Sequence, residues 1–161
     1  MKVFVITGVV VAVFLIIVAG SAAQWLAQKS DDHVIKVSQI QKLQKDKTFK
    51  DRYVIVDTRA PEESSVSMLP GAVTKAQFEK SPKTHQGKTV IAYCTIGYRS
   101  GKYAAKLRQQ GWSAFNYKGS ILDWCKQKLP LTTPDGKPTK RVHTYSSRYA
   151  APAGYEAVFE K

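Results

Sequence analysis

Thr89-Val90-Ile91-Ala92-Tyr93-Cys94-Thr95-Ile96-Gly97-Tyr98-Arg99-Ser100 decides how this chain is read. Its first five residues form a continuous apolar, β-prone run, the pattern of a strand buried on both faces. A helical pattern begins near Ser100 and continues to Gln110, with Tyr103, Ala104 and Leu107 on one face and Gly111 placed to end it. Between strand and helix lies a short turn that starts at Cys94. The first turn of a helix offers backbone N–H groups without partners and the positive end of the dipole. A turn curled around the cysteine aims more N–H groups inward and makes a nest for an anion. Gly97 allows a tight curl and Arg99 adds a full charge. Such surroundings lower a thiol pKa, so Cys94 is expected to be a thiolate nucleophile.

The same alternation extends on either side. Tyr53-Val54-Ile55-Val56 is a second buried-strand pattern, ending at Asp57-Thr58-Arg59. Leu69-Pro70-Gly71-Ala72-Val73 reads as a turn into a short strand. Ala114-Phe115-Asn116-Tyr117 reads as another strand, and Ile121 to Lys128 as a helix stopped by Pro130. Upstream, Val34-Ile35-Lys36-Val37 is β-prone, and Ser38 can cap a helix from Gln39 to Gln44. Strands alternating with helices predict an α/β domain with an open, mostly parallel sheet covered by helices on both faces. Ligands of such sheets bind beyond the carboxyl ends of strands, where Asp57 and Cys94 both fall.

Four elements, taken in order, resemble the rhodanese family of sulfurtransferases. They are Asp57-Thr58-Arg59 followed by Glu62 and Glu63, Leu69-Pro70-Gly71-Ala72, the Cys94-x-x-Gly97-x-Arg99-Ser100 loop, and Gly119 with Trp124. Two departures stand out. Ser120 occupies the place of a second glycine, and Met68 that of a histidine. The resemblance covers about residues 34–131 and implies a rhodanese-like fold. It also implies a two-step reaction. Cys94 takes a sulfane sulfur from a small anionic donor such as thiosulfate, and the persulfide then passes it to a thiophilic acceptor, cyanide or a thiol, including a protein thiol. Thr95, Ile96, Gly97, Tyr98, Arg99 and Ser100 form the substrate- and persulfide-binding loop, with Asp57 and Arg59 in support. No cofactor or metal is implied. The six-residue loop from Cys94 to Arg99 is one residue shorter than that of phosphatases and arsenate reductases of the related fold, which fits a sulfur atom rather than a tetrahedral oxyanion. The alternative function is a persulfide-relay or redox-sensing module that acts on a protein partner.

Several side chains carry a second reading. Arg99 either binds the anion directly or fixes the loop through an ion pair, with Asp57 the candidate partner. Arg59 can pair with Glu62 or Glu63. Cys125, beside Trp124, is a packing residue or a resolving thiol for Cys94. Lys102, Lys106 and Arg108 either steer an anionic donor or form a solvated helix face. His33, His85 and His143 have no metal-ligand spacing.

The flanks differ from this domain. Val3 to Ala23 is uncharged, about the length of a membrane-spanning helix, and Trp25 suits the interface. Residues 1–27 are therefore expected to be an N-terminal transmembrane anchor, with membrane contact through residues 3–23 and a linker at 28–33. The reading kept beside it is a signal peptide cleaved near Ser21-Ala22-Ala23, which would release a secreted domain. Insertion of so short an N-terminus favours an extracytoplasmic, periplasmic domain. Residues 132–161, broken by Pro134, Gly136, Pro138, Pro152 and Gly154, form a C-terminal extension, expected to wrap over the domain; a free partner-binding tail is the other reading.

The chain of 161 residues has 25 Lys/Arg against 12 Asp/Glu, a net charge of +13. Anionic partners are favoured, but no recognition motif or stacking platform for nucleic acid is present. Two cysteines do not make a disulfide scaffold.

Overall fold

The computed structural model describes residues 33–159. Two strands carry the fold: β1 (Tyr53–Asp57) and β3 (Thr89–Tyr93), paired in parallel from Tyr53 opposite Thr89 to Asp57 opposite Tyr93. β2 (Val73–Thr74) lies outside β1 and β4 (Ala114–Asn116) outside β3, giving a four-stranded sheet in the order β2-β1-β3-β4 with every pairing parallel. Among the described residues six α-helices accompany it: α1 (Val37–Gln44), α2 (Phe49–Arg52), α3 (Pro61–Val66), α4 (Lys75–Lys80), α5 (Tyr98–Gln109) and α6 (Ser120–Lys126).

The period-two geometry of a strand divides the core into two layers. Ile55, Ile91 and Tyr93 point to one face, where they meet Ile40 of α1 and Ile121, Trp124 and Cys125 of α6. Val54, Val56, Val90 and Ala92 point to the other, against Phe78 of α4 and Tyr103, Ala104 and Leu107 of α5. Helices on both faces explain why the strand sequences are continuously apolar rather than alternating.

Local chemistry sets the helix ends. Thr74 caps α4: its hydroxyl accepts the Gln77 N–H (3.1 Å), and the Gln77 side chain accepts the Thr74 N–H (2.8 Å). Pro61 opens α3, where its missing N–H costs nothing. Gly111, at φ +86°, follows the end of α5.

Two expectations are corrected upstream of β1. Val34 to Val37 is not a strand. Val34 makes a single parallel bridge to Asn116, and the helix begins at Val37, ahead of Ser38. The Lys36 N–H is satisfied by the Gln39 side chain (2.8 Å), so the chain turns helical one residue before the expected cap. Downstream, β5 (Leu131–Thr132) forms an antiparallel pair with β6 (Pro138–Thr139), and β7 (Arg141–His143) pairs in parallel with β8 (Glu156–Val158). Val142, His143 and Thr144 are buried, and Tyr149, Ala151 and Tyr155 pack against the layer that holds Ile40 and Trp124. Through residue 159 the extension is part of the packed domain.

The expected transmembrane anchor, residues 1–27, lies outside the described residues, as does the linker except for His33. Among the described residues no helix is long and apolar enough to cross a membrane.

Candidate active site

The site is built at the carboxyl ends of β1 and β3, beyond the central pair of the sheet. β3 ends at Tyr93 and α5 begins at Tyr98, so Cys94 to Gly97 is the whole connection. Gly97 takes φ +94°, and a Cβ there would stand 2.2 Å from the Lys118 carbonyl oxygen. Only glycine fits both the left-handed turn and the close approach. That turn reverses the chain over the thiol. The Gly97 N–H donates to Cys94 Sγ (3.1 Å), and the Ser100 hydroxyl lies 3.6 Å from it.

Burial pushes the Cys94 thiol up, since the residue is only 1% exposed. The Ser100 N–H and hydroxyl and the N–H groups of Ile96 and Gly97 outweigh burial and hold its pKa below the ordinary value. Cys94 is thus a thiolate-prone sulfur inside a ring of backbone donors. The Ser100 hydroxyl has one proton and two acceptors in reach, Cys94 Sγ and Asn116 Oδ1 (2.7 Å). Asn116 in turn donates to the Gly97 carbonyl (3.1 Å), so the end of β4 braces the loop.

The N-terminus of α6 grips the cysteine backbone. The Cys94 N–H donates to Ser120 Oγ (3.0 Å), and the Ile121 N–H donates to the Cys94 carbonyl (3.1 Å). Ser120 is fully buried and has φ +57°, an uncommon conformation for a residue with a side chain. Glycine adopts that backbone freely, which accounts for the glycine expected there. Serine meets the strain and supplies a hydroxyl at Cys94.

Asp57, Arg59 and Arg99 are placed differently from the sequence expectation. Arg99 pairs with Glu63, not with Asp57. Two guanidinium nitrogens reach the two Glu63 oxygens, one at 2.7 Å, and Nη2 also reaches Thr95 Oγ1 (3.0 Å). Glu63 further accepts the Thr95 hydroxyl (2.9 Å) and the Ala60 N–H (3.0 Å). Burial pushes the Glu63 carboxyl up, but Arg99 and these other donors bring it below the usual range. Arg59 pairs with Asp57 rather than with Glu62 or Glu63: Nε–Oδ1 is 2.9 Å and Nη2–Oδ2 is 2.6 Å, and both side chains are fully buried. The Tyr93 hydroxyl donates to Asp57 (2.7 Å) and accepts the Leu69 N–H (3.1 Å). The cause is reach: the Asp57 carboxylate is filled by Arg59 and Tyr93, which leaves Glu63, at the start of α3, to face the loop.

Cys94 forms the floor of an open pocket of about 330 Å³, lined also by Thr95, Ile96, Tyr98, Arg99, Tyr145 and Tyr149. The two last tyrosines come from the extension, and Tyr145 lies against the Arg99 guanidinium (5.2 Å from ring centroid to Cζ). Cys125 is buried in the core, free of any disulfide, and burial pushes its thiol up to about 12. Among the described residues no group of three or more His, Cys, Asp or Glu stands together as a metal site. Glu63, Ser120, Asn116, Tyr145 and Tyr149 were not legible as site residues. Glu63 was signalled only as an acid after Asp57-Thr58-Arg59, and Ser120 only as a departure.

A buried cysteine cradled by N–H groups at a strand-to-helix junction of a parallel sheet defines an α/β protein with a cysteine-centred anion-binding loop. The rhodanese-like domain model matches residues 36–127. The chain belongs to the rhodanese family. A sulfurtransferase of Allochromatium vinosum is 32% identical over 90 residues, 52% of this chain and 81% of that one. A Bacillus halodurans protein of solved structure superposes with a TM-score of 0.57 at 21% identity, covering 71% of this chain and 86% of its own. A rhodanese-related protein of Thermoplasma volcanium gives 0.52 at 19% identity, covering 62% and 97%. Family and relative support a sulfurtransferase-type function.

Proposed function

We propose that this chain moves a sulfane sulfur from an anionic donor such as thiosulfate to a thiophilic acceptor through a Cys94 persulfide. The observation that carries this reading is the ring of donors from Ile96, Gly97 and Ser100 around a single buried sulfur. In the first step Cys94 Sγ attacks the outer sulfur of thiosulfate. The donor S–S bond breaks and its electron pair leaves on sulfite. The persulfide anion sits where the thiolate sat, and the same N–H groups hold it. In the second step cyanide or a thiolate attacks the outer persulfide sulfur, and the electron pair of the breaking S–S bond returns to Cys94. Neither step needs a metal or an organic cofactor.

Arg99 serves this cycle by fixing the loop, since Glu63 already answers its charge. Asp57 and Arg59 hold the end of β1 beside it. Residues 3–23 tether the domain to a membrane, with the domain on the extracytoplasmic side; the uncharged run from Val3 to Ala23, long enough to span a bilayer as a helix, supports the tether.

Covalent catalysis of this kind predicts ping-pong kinetics. Initial rates with thiosulfate varied at several fixed cyanide concentrations should give parallel double-reciprocal lines. Intersecting lines would contradict a free persulfide enzyme. Persulfide formation with negligible turnover would support the relay function instead.

A further inference from the structure

We infer that Tyr145 of the C-terminal extension, beyond the family match, is a specificity-determining residue for the sulfur donor and favours one with an aromatic or bulky apolar body. The inference rests on the sulfur-transfer reading of Cys94 and extends it to the residue that discriminates between donors.

Exposed large apolar side chains are few in the described residues: Ile96 (46%), Tyr98 (66%), Tyr145 (61%) and Phe159. The first three line the Cys94 pocket. Clustering of exposed apolar surface at one pocket marks a binding function. The pocket's volume of about 330 Å³ suits a small molecule rather than a bare inorganic ion. Its floor and wall differ in chemistry. The floor offers N–H groups to an anionic sulfur. The wall offers the rings of Tyr98, Tyr145 and Tyr149, and its one guanidinium, Arg99, is already paired with Glu63. A donor that fills both has an anionic sulfur head and a ring-like body. Thiosulfate has the head alone.

Tyr145 is held in place at a cost. Its φ of +70° is unusual for an aromatic residue. The conformation is fixed by its own N–H donating to His143 Nδ1 (3.1 Å) and by the adjoining Thr144 N–H donating to the Val158 carbonyl (3.1 Å). Strain maintained by surrounding structure is a feature of ligand sites. Here it sets an exposed ring against Arg99 at the pocket mouth.

The chemistry balances without an oxidant. Cys94 Sγ⁻ attacks the terminal sulfur of R–SO2–S⁻ and the S–S bond of the donor breaks. Its electron pair leaves with the sulfinate R–SO2⁻, and the sulfur remains on Cys94 as a persulfide.

The test measures the second-order rate of sulfur gain by the full-length protein, read by intact mass, with benzenethiosulfonate, methanethiosulfonate and thiosulfate. The two thiosulfonates share the head and differ in the body. The ratio of benzene- to methanethiosulfonate rates should fall at least fivefold in Tyr145→Ala and be restored in Tyr145→Phe, because the ring and not the hydroxyl makes the wall. Circular dichroism checks that the variants fold; Tyr145 is mostly exposed, so its truncation leaves the core intact. An undiminished ratio in folded Tyr145→Ala overturns the inference and leaves sulfur transfer standing. No sulfur gain from any of the three donors overturns the sulfur-transfer reading, and the inference with it.

Discussion

Cys94 and Cys125 are both buried, yet their environments push them in opposite directions. Around Cys94, N–H groups from Ile96, Gly97 and Ser100 overcome the cost of burying charge. Around Cys125 nothing comparable offsets burial, and its thiol is raised to about 12. The sign fixes the expected pH profile. A depressed pKa makes the thiolate form of Cys94 at lower pH than a free thiol does, so its iodoacetamide rate should reach half its plateau below pH 9.0. Peptide mapping should find the label on Cys94 alone until the protein is unfolded. Early labelling of Cys125, or a Cys94 midpoint above 9.0, would contradict the cradle. Cys94 was legible because its loop is local: seven consecutive residues state both the turn and the donors. The Arg99 partner was not, because Asp57 and Glu63 are both remote acids in sequence and only the folded chain shows that Arg59 and Tyr93 fill Asp57.

At the scale of elements, β1, β3 and α5 were readable because their burial pattern is written in consecutive residues. The failure at Val34 to Val37 has a physical cause. Three β-branched residues, Val34, Ile35 and Val37, are too short a run to outweigh a helix start with its own side-chain partner at Gln39. The junction before α6 was only half legible, since Ser120 looked like the loss of a glycine. The structure shows what replaced it: the Ser120 hydroxyl satisfies the Cys94 N–H. Two substitutions separate the roles. Ser120→Ala keeps the strained φ and strands a buried N–H, which costs about 1–3 kcal/mol. Ser120→Gly strands the same group but relieves strain of about 1 kcal/mol. In urea melts Ser120→Ala should therefore be less stable than Ser120→Gly, with both below the parent. Equal stabilities, or an alanine variant as stable as the parent, would contradict this role.

For the whole molecule, the family match ends at residue 127, but the packed domain does not. Val142 is fully buried, Tyr149 and Tyr155 pack on the core, and the Tyr155 hydroxyl donates to the Leu129 carbonyl. A fully buried apolar side chain such as Val142 contributes about 1.5–3 kcal/mol, and the half-buried tyrosines add to it. Ending the chain after Leu131 should thus lower the midpoint of thermal unfolding by about 10 °C or more. A truncated chain as stable as the parent would restore the free-tail reading. The extension's wrapping was foreseen from its spaced aromatics, whereas its delivery of Tyr145 and Tyr149 to the Cys94 pocket depends on tertiary placement that no local pattern encodes. All of this organisation converges on one sulfur atom. The most direct measurement is the intact mass of the protein after incubation with thiosulfate, beside a Cys94→Ser control. The account predicts a gain of one sulfur atom that is absent in the control and removed by cyanide. A parent protein that gains nothing while its Cys94 remains free and reactive would contradict it.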